Sequence, residues 1–565
     1  MPVFISVERC STECGNAMVS RRLFFFLLTA LSAGLLLILC FSSLNNPLIF
    51  DDVPFFRPGG PASLLSNGYG LSPRSWVYDT MAATFIYLSD KIIWLRVENL
   101  ILHACTALAL FGFARQLLNC LDRRPIFFLN TDTAAFIVAF LFVIHPLTIQ
   151  TQGYLIQRTI VCATLFGVLG LWAFWRGLGG KRWALWGSCL CMFLSLYAKE
   201  HAVMLPVLCF LLWVLHRRSQ LSSSFSTVEV FSVLAVQGTI AISVILWFKG
   251  LIGVVYEIKA EEVLSDEIFQ PDGSLYVLSV LNQMGLFFKY LSTLLLPQGR
   301  TLGLDLRVPF PLGYGVWWGW AGLVAFVAYG WASFLLLLRG ASKGLLGFSL
   351  LFPWVLFATE LVSVRLQEPF VLYRSYLWAP GLFIALALGL RRLRTIYLVT
   401  LIPVFALYLF GLSYDRLMTL STPVLVWNEA VKYYEEQGDT PGLLGGYRVY
   451  YNLGVTYLEV GFVDLASENI EKAVALKPKY EYAHYQRGKI FLLRGKAAEA
   501  KLEFERAISL RPNYTTPYLG MADALKSLGQ NDEAQHYLEL GCNKGSQLAC
   551  DRARPQAPLM LLPKK

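Results

Sequence analysis

Two adjacent carboxylates, Asp51-Asp52, stand in the stretch NPLIFDDVPFF, directly beyond an apolar run. Such a pair at a helix exit suits a solvated cap or a topology mark, and equally a base that takes the proton of a hydroxyl nucleophile. Arg74 follows, then LRVENLILHA, in which Asn99 and His103 lie four apart and share one helix face. His145-Pro146 closes an apolar run, Arg158 opens the next, and Lys199-Glu200-His201 forms a tight link. Asp305 ends LLLPQGRTLGLD, and EPFVLYRSYLWAP supplies Glu368, Tyr373, Arg374 and Tyr376. Bland readings exist for each: a hydrogen-bond network at Asn99 and His103, mutual neutralisation of Lys199 and Glu200, interfacial anchoring by the tyrosines and arginines. Taken together, carboxylates and several cations suit transfer from a lipid phosphate, with a carboxylate activating the hydroxyl and Arg or Lys holding the leaving phosphate. The sequence contains no P-loop, GxGxxG or HExxH pattern, so nucleotide and dinucleotide chemistry has no support.

The elements that would position these residues are apolar. Of 565 residues, 56% are hydrophobic and only 15% charged, against roughly 25% charged in an ordinary soluble domain. Mean hydropathy is +0.52. Disorder, a secreted disulfide scaffold and a plain cytosolic enzyme are disfavoured, and a polytopic membrane protein remains. Net charge is +10, nearly all of it before Ser413, since the remainder holds 19 basic and 18 acidic residues. The eleven cysteines show no zinc-ligand spacing and read as buried apolar residues.

Apolar runs near 23–43, 97–118, 126–144, 155–175, 183–198, 202–215, 227–249, 314–338, 345–363, 375–390 and 395–412 predict about eleven spans. Basic clusters at Arg21/Arg22, Arg115/Arg123/Arg124, Arg176/Lys181/Arg182, Arg217/Arg218, Arg339/Lys343 and Arg391/Arg392/Arg394 fall in every second connection. By the positive-inside rule those connections are cytoplasmic. The amino terminus, 1–22, is then cytoplasmic, and outer loops 44–96 and 250–313, the turn at 199–201 and everything after 413 lie outside. Stretches 75–92 and 276–296 read as helices lying along the interface, with a twelfth span as the alternative for the second.

The tail repeats itself at a 34-residue offset. Gly454, Gly488 and Ala522 align, as do Ala466, Ala500 and Ala534, and Pro478 with Pro512. This is the tetratricopeptide period, with small residues where paired helices approach closely. The predicted fold is all-α: a polytopic transmembrane helical bundle over 23–412, a linker and capping helix over 413–446, a soluble α-solenoid of tetratricopeptide repeats over 447–548, and a tail over 549–565.

This order of features resembles the multispanning GT-C type glycosyltransferases that use polyprenyl- or dolichyl-phosphate sugars. It is most similar to their transmembrane and tetratricopeptide repeat-containing branch and its bacterial relatives linked to pilin glycosylation. The resemblance places the first-loop catalytic aspartate at Asp51 or Asp52. It matches a membrane-edge Arg to Arg74 and an H-x-x-N…H pattern to Asn99 and His103, with Arg96 where the first histidine would stand. His145-Pro146 with Arg158, and Lys199-Glu200, match further motifs, while the late E-R-x-x-Y-L-P block reads YRSYLWAP here, from Glu368 to Pro380.

The resemblance implies an inverting glycosyltransferase of the bacterial inner membrane. It would move a sugar from a polyprenyl-phosphate donor to a Ser or Thr hydroxyl of an exported, pilin-like protein on the outer face. Asp51 or Asp52 would be catalytic, and Arg374, Lys199 and Arg158 would bind the donor phosphate. Supporting or acceptor-binding roles fall to Arg74, Asn99, His103, His145, Glu200, Asp305, Glu368, Tyr373 and Tyr376. A monophosphate can be met by side chains alone, whereas a diphosphate donor favours a divalent metal ion. The repeats would recruit the acceptor or a pilus component, and no nucleic acid partner is expected. Two alternatives stand: an oligosaccharyltransferase using a lipid diphosphate, and a noncatalytic envelope or pilus assembly scaffold.

Overall fold

A computed structural model describes residues 30–39, 41–57, 60, 72–88, 91–122, 129–222, 225–255, 271–366, 368–438 and 440–554. The basic residues Arg21, Arg22, Arg123 and Arg124, and the stretch 555–565, lie outside the described residues. Among those described the structure is all-α, with short 3-10 turns and three isolated β-bridges. The chain divides into two compact units, Met1–Thr422 and Pro423–Lys565.

In the first unit, helical residues 30–39 and 41–43 precede α1 (Asp52–Phe56), α2 (Ser75–Tyr87), α3 (Lys91–Leu121), α4 (Thr131–Val143) and α5 (Pro146–Gly153). They are followed by α6 (Arg158–Leu178), α7 (Arg182–Ala198), α8 (Leu205–Arg218), α9 (Thr227–Trp247) and α10 (Leu275–Leu295). The unit ends with α11 (Trp317–Leu338), α12 (Ala341–Phe357), α13 (Ala379–Leu390) and α14 (Thr395–Thr419). Local signals set several starts. Asn130 accepts from Thr133 N at 2.7 Å ahead of α4, and Ser226 accepts from Glu229 N at 3.2 Å ahead of α9. Glycines let α6 pack closely: a Cβ at Gly177 would come within 2.6 Å of Leu185 Cα on α7, and one at Gly167 within 2.8 Å of Leu205.

Among the described residues seven helices are long and apolar enough to cross a membrane, or eight if α4 and α5, bent by 50° at His145, form one span. The sequence predicts about eleven. The shortfall has a physical source: α7 has 17 residues and α13 has 12, about 26 and 18 Å at 1.5 Å per residue, against a hydrocarbon core of about 30 Å. The predicted run at 23–43 is described only in part.

The second unit is a regular array of antiparallel helix pairs. After α15 (Pro423–Glu435) come α16 (Gly446–Glu459) with α17 (Val463–Leu476), α18 (Glu481–Leu493) with α19 (Ala497–Leu510), and α20 (Thr516–Ser527) with α21 (Asn531–Asn543). A last helix, α22 (Gln547–Ala553), packs on α21. The aligned small residues do what their register predicts. Ala466, Ala500 and Ala534 are fully enclosed. A Cβ at Gly488 would lie 2.7 Å from the Phe504 ring, and one at Gly520 would lie 2.6 Å from it, so that ring fills the space two glycines leave.

Candidate functional site

The polar residues of the membrane unit form connected groups. Phe50 adopts a left-handed backbone (φ 47°), a conformation disfavoured for a bulky residue, and so turns the chain into Asp51-Asp52. Asp51 is exposed and accepts from the Tyr154 hydroxyl at 3.0 Å. Asp52 is fully buried and accepts from Leu155 N at 3.3 Å and Ile156 N at 2.8 Å. Burial pushes its carboxyl up to about 7, against the pull of the Ile156 N–H and of Arg96. The Tyr373 ring packs on Tyr154, with centroids 6.0 Å apart.

Beside this pair, α3 faces the start of α6. Arg158 donates from Nε to Asn99 Oδ1 at 2.6 Å and from Nη2 to Leu95 O at 2.9 Å, and pairs with Glu98 at 2.8 Å. Asn99 donates to Gln152 O at 3.2 Å and to Leu155 O at 3.4 Å. His103 joins Tyr376 Oη at 2.8 Å and Val143 O at 3.0 Å. His145 caps α5 by accepting from Leu147 N at 3.3 Å, while its Nε2 meets Leu294 O at 3.1 Å. Both rings are buried within backbone contacts, which makes them parts of the packing at the α4–α5 bend.

A second group links distant parts of the chain. Arg74, itself left-handed at φ 73°, donates through Nε to Glu200 Oε2 at 2.8 Å. His201 lies 3.2 Å from Glu200 Oε1 and 3.2 Å from Glu360 Oε1. Glu360 is fully enclosed, receives Arg374 at 2.6 Å and has Arg365 at 3.7 Å. Lys199 is buried beside this group, and burial together with the Arg74 charge pulls its ammonium down to about 7. A cavity of about 300 Å³ adjoins it, lined by Glu200, His201, Arg365 and apolar residues including Val244 and Phe248. Asp305 pairs locally with Arg307 at 2.6 Å, and Glu368 is half-buried.

Sequence reading missed Glu360 and Arg365, and met Arg96 only as a departure from a motif. Arg96 is buried on α3 and donates to Asn46 O at 2.8 Å, Pro47 O at 2.9 Å and Gly153 O at 2.9 Å, so it fastens the segment that leads into Asp51. Its only sequence signal is a cation inside an apolar helix. Also missed is a disulfide, Cys542–Cys550, which ties α21 to α22. The expectation that the cysteines are buried apolar residues is corrected at that pair and at Cys105, which is exposed. Among the described residues six other cysteines are free, with Cys162 and Cys209 buried.

The second unit carries a recognisable class of fold, a helical-hairpin solenoid, and its repeats have a family. Residues 447–480 and 482–514 match the tetratricopeptide repeat family. No curated protein matches the chain. Among solved structures, a crystal structure of MamA protein is 21% identical and covers 29% of this chain and 84% of its own, with a TM-score of 0.20. A second MamA crystal structure is also 21% identical, with coverages of 27% and 85% and a TM-score of 0.19. A MamA structure from MSR-1 is 23% identical, with coverages of 21% and 67% and a TM-score of 0.18.

The GT-C glycosyltransferase expectation is corrected accordingly, and with it the inverting enzyme, the O-glycosylation activity and the pilin acceptor. The family match is to tetratricopeptide repeats, not to such an enzyme. The site gives the physical reason. Arg374 and Arg158, expected to bind the donor phosphate, are closed on Glu360 and Glu98, Lys199 is buried, and Arg74, expected in a supporting role, is closed on Glu200. Asp52, expected to activate a hydroxyl, accepts backbone N–H groups in a fully buried place. Among the described residues no group of three or more His, Cys, Asp or Glu is arranged to hold a metal ion.

Proposed function

We propose that this chain is a noncatalytic membrane scaffold whose tetratricopeptide repeats hold a partner protein of an envelope assembly on the outer face of the membrane. The observation that carries this reading is the solenoid: two family-matching repeats, and a third pair in register, stacked over enclosed cores. Stacked helical hairpins present an extended surface suited to docking. The membrane unit serves as the anchor, and its ion pairs join residues distant in sequence, as Arg158 with Glu98 and Arg74 with Glu200.

Two observations support an outward placement of the repeats. Basic clusters fall in every second connection when all eleven apolar runs of the sequence, the short helices α7 and α13 included, are counted as crossings. The Cys542–Cys550 disulfide belongs to an oxidising compartment, which the cytosol is not.

The test is site-specific photo-cross-linking in whole cells. A p-benzoylphenylalanine at position 485, on the first helix of the second repeat, is expected to yield one discrete adduct with an exported protein. The same probe at position 502, an exposed leucine on the second helix of that repeat, is expected to yield none. Equal adducts from both positions, or no discrete adduct from 485, overturn the reading.

A further inference from the structure

Six tyrosines form a continuous cluster across the repeats, and the solenoid core does not account for all of them. Tyr447 and Tyr451 come from α16, Tyr480 from the turn that follows α17, Tyr482 and Tyr485 from α18, and Tyr514 from the turn before α20. Ring centroids lie 4.8 Å apart for Tyr447–Tyr480, 5.2 Å for Tyr451–Tyr480, 5.5 Å for Tyr480–Tyr482, 4.7 Å for Tyr482–Tyr514 and 5.7 Å for Tyr485–Tyr514. Tyr447 and Tyr480 are buried and belong to the core. Tyr451, Tyr482 and Tyr485 are half-buried and rest on the repeat cores without being enclosed by them, and Tyr514 is half-buried against Tyr482 and Tyr485. The interior is filled instead by Ala466, Ile470, Phe504, Met521 and Leu525.

The chemistry of this surface is narrow. It offers flat aromatic faces together with hydroxyl donors. Burial pushes the Tyr451 hydroxyl up to about 12 and raises those of Tyr485 and Tyr514, so all three remain protonated donors near neutral pH. Its surplus charge is a single cation. Lys489 lies over the Tyr485 ring at 5.8 Å, while Arg511, over the Tyr482 ring at 5.7 Å, is matched by Glu481. The neighbouring carboxylates are neutralised within the array, Glu481 by Arg511 at 3.0 Å and Asp523 by Arg552 at 3.0 Å.

We infer that the tyrosine surface binds an extended, proline-containing segment of the partner, flanked by acidic residues. A polyproline II segment makes no internal hydrogen bonds, so its carbonyls need donors, and its proline rings pack on aromatic faces. An amphipathic helix has most of its carbonyls satisfied and would call for an aliphatic groove instead. Acidic flanks complement Lys489. This inference rests on the scaffold reading and adds to it the chemical class of the partner segment.

The test uses the full chain in lipid nanodiscs and fluorescence anisotropy with synthetic peptides of about 12 residues, a length of about 37 Å at 3.1 Å per residue. One peptide alternates proline with alanine and carries glutamates at both ends. A second replaces every proline by alanine, and a third replaces the glutamates by lysines. The first is expected to bind at least about tenfold more tightly than either of the others, and to weaken as salt rises. Tyr482→Ala with Tyr485→Ala is expected to cost at least about tenfold, as removal of aromatic anchors does at other interfaces, while Tyr485→Phe keeps most of the affinity. Lys489→Glu guards against a folding artefact, because it should shift preference toward the lysine-flanked peptide, which an unfolded array cannot do. Equal binding of the alanine peptide, absence of binding by all three, or an unchanged charge preference in Lys489→Glu overturns the inference. A discrete photo-adduct at position 485 would survive that failure, so the two readings fail separately.

Discussion

In the membrane unit, arginines and carboxylates end on one another: Arg374 on Glu360, Arg158 on Glu98, Arg74 on Glu200. In the repeats cations also pair with carboxylates, as Arg511 with Glu481 and Arg552 with Asp523, but at positions open to water, and Lys489 lies over a tyrosine ring that is half-buried. The difference follows from the surroundings. A charge among apolar helices has no water to fall back on, so it must find a partner within the fold. A tyrosine beside water can leave one face unsatisfied at little cost, and that face stays available to another molecule. The membrane unit therefore closes its charges on one another away from water, and the repeats hold part of theirs where water and another molecule can reach them.

The largest expected effect breaks cohesion at its centre. Glu360→Ala leaves the buried Arg374 and Arg365 facing each other without their shared carboxylate. Removing one partner of a buried ion pair costs about 3–5 kcal/mol. Thermal unfolding in detergent, followed by size-exclusion chromatography, should show a large drop in midpoint. A midpoint within about 1 °C of the parent would mean that this network does not hold the bundle together.

The next effect separates the two units by redox chemistry. Cys542 and Cys550 are eight residues apart in sequence, and a loop that short is worth about 2–3 kcal/mol in the chain-entropy account. Cys542→Ser, or dithiothreitol added to the parent, should lower the melting of the repeats. The same reductant should leave the membrane unit unchanged, since the described cysteines there are free. Equal shifts in both units would remove the contrast.

The repeats were legible because their signal is positional. A small residue every 34 positions needs only a ruler, and Ala466, Ala500 and Ala534 are enclosed as that spacing requires. The overlap of apolar runs with helices was equally direct, but their number was not, because composition does not separate a helix that spans from one too short to do so, such as α13. The polar residues that the fold brings together were legible one by one and not as pairs. Glu360 sits alone in the run 345–363, and its partners His201 and Arg374 come from elsewhere in the chain. Arg96 registered only as a departure from a motif, because its partners are backbone carbonyls, which every residue carries. Cations that looked ready for a phosphate were closed by carboxylates that no spacing rule connects to them.

Packing inside the solenoid gives the third test. Gly488→Val on α18 would place carbon within 2.7 Å of the Phe504 ring, which already contacts Gly520. Overfilling a well-packed core costs about 1–3 kcal/mol. Circular dichroism of the full chain should register an earlier loss of the repeat helices, and Phe504→Leu in the same chain should recover part of it. If the double variant melts no higher than Gly488→Val alone, the ring is not the obstacle and the register argument for these repeats weakens.

The smallest effect asks whether an ion pair in the repeats behaves like those in the membrane unit. Glu503 accepts His484 at 2.8 Å and Arg487 at 2.6 Å. Burial alone would raise its carboxyl, but the hydrogen bonds from His484 and Arg487 outweigh burial and hold it below its ordinary 4.5. A carboxyl whose folded value is depressed adds stability that is present above the unfolded value, near 4.5, and is lost as pH falls through the lower folded one. Melting of the parent repeats should therefore decline more steeply below pH 4.5 than melting of Glu503→Gln, and the two should converge in acid. Because the group is partly hydrated, the difference at neutral pH should be small, about 3 °C. Added salt should shrink it, since water reaches the pair. A salt-insensitive difference as large as that of Glu360→Ala would show cohesion of the membrane kind in the repeats, and the division between the two units would no longer hold.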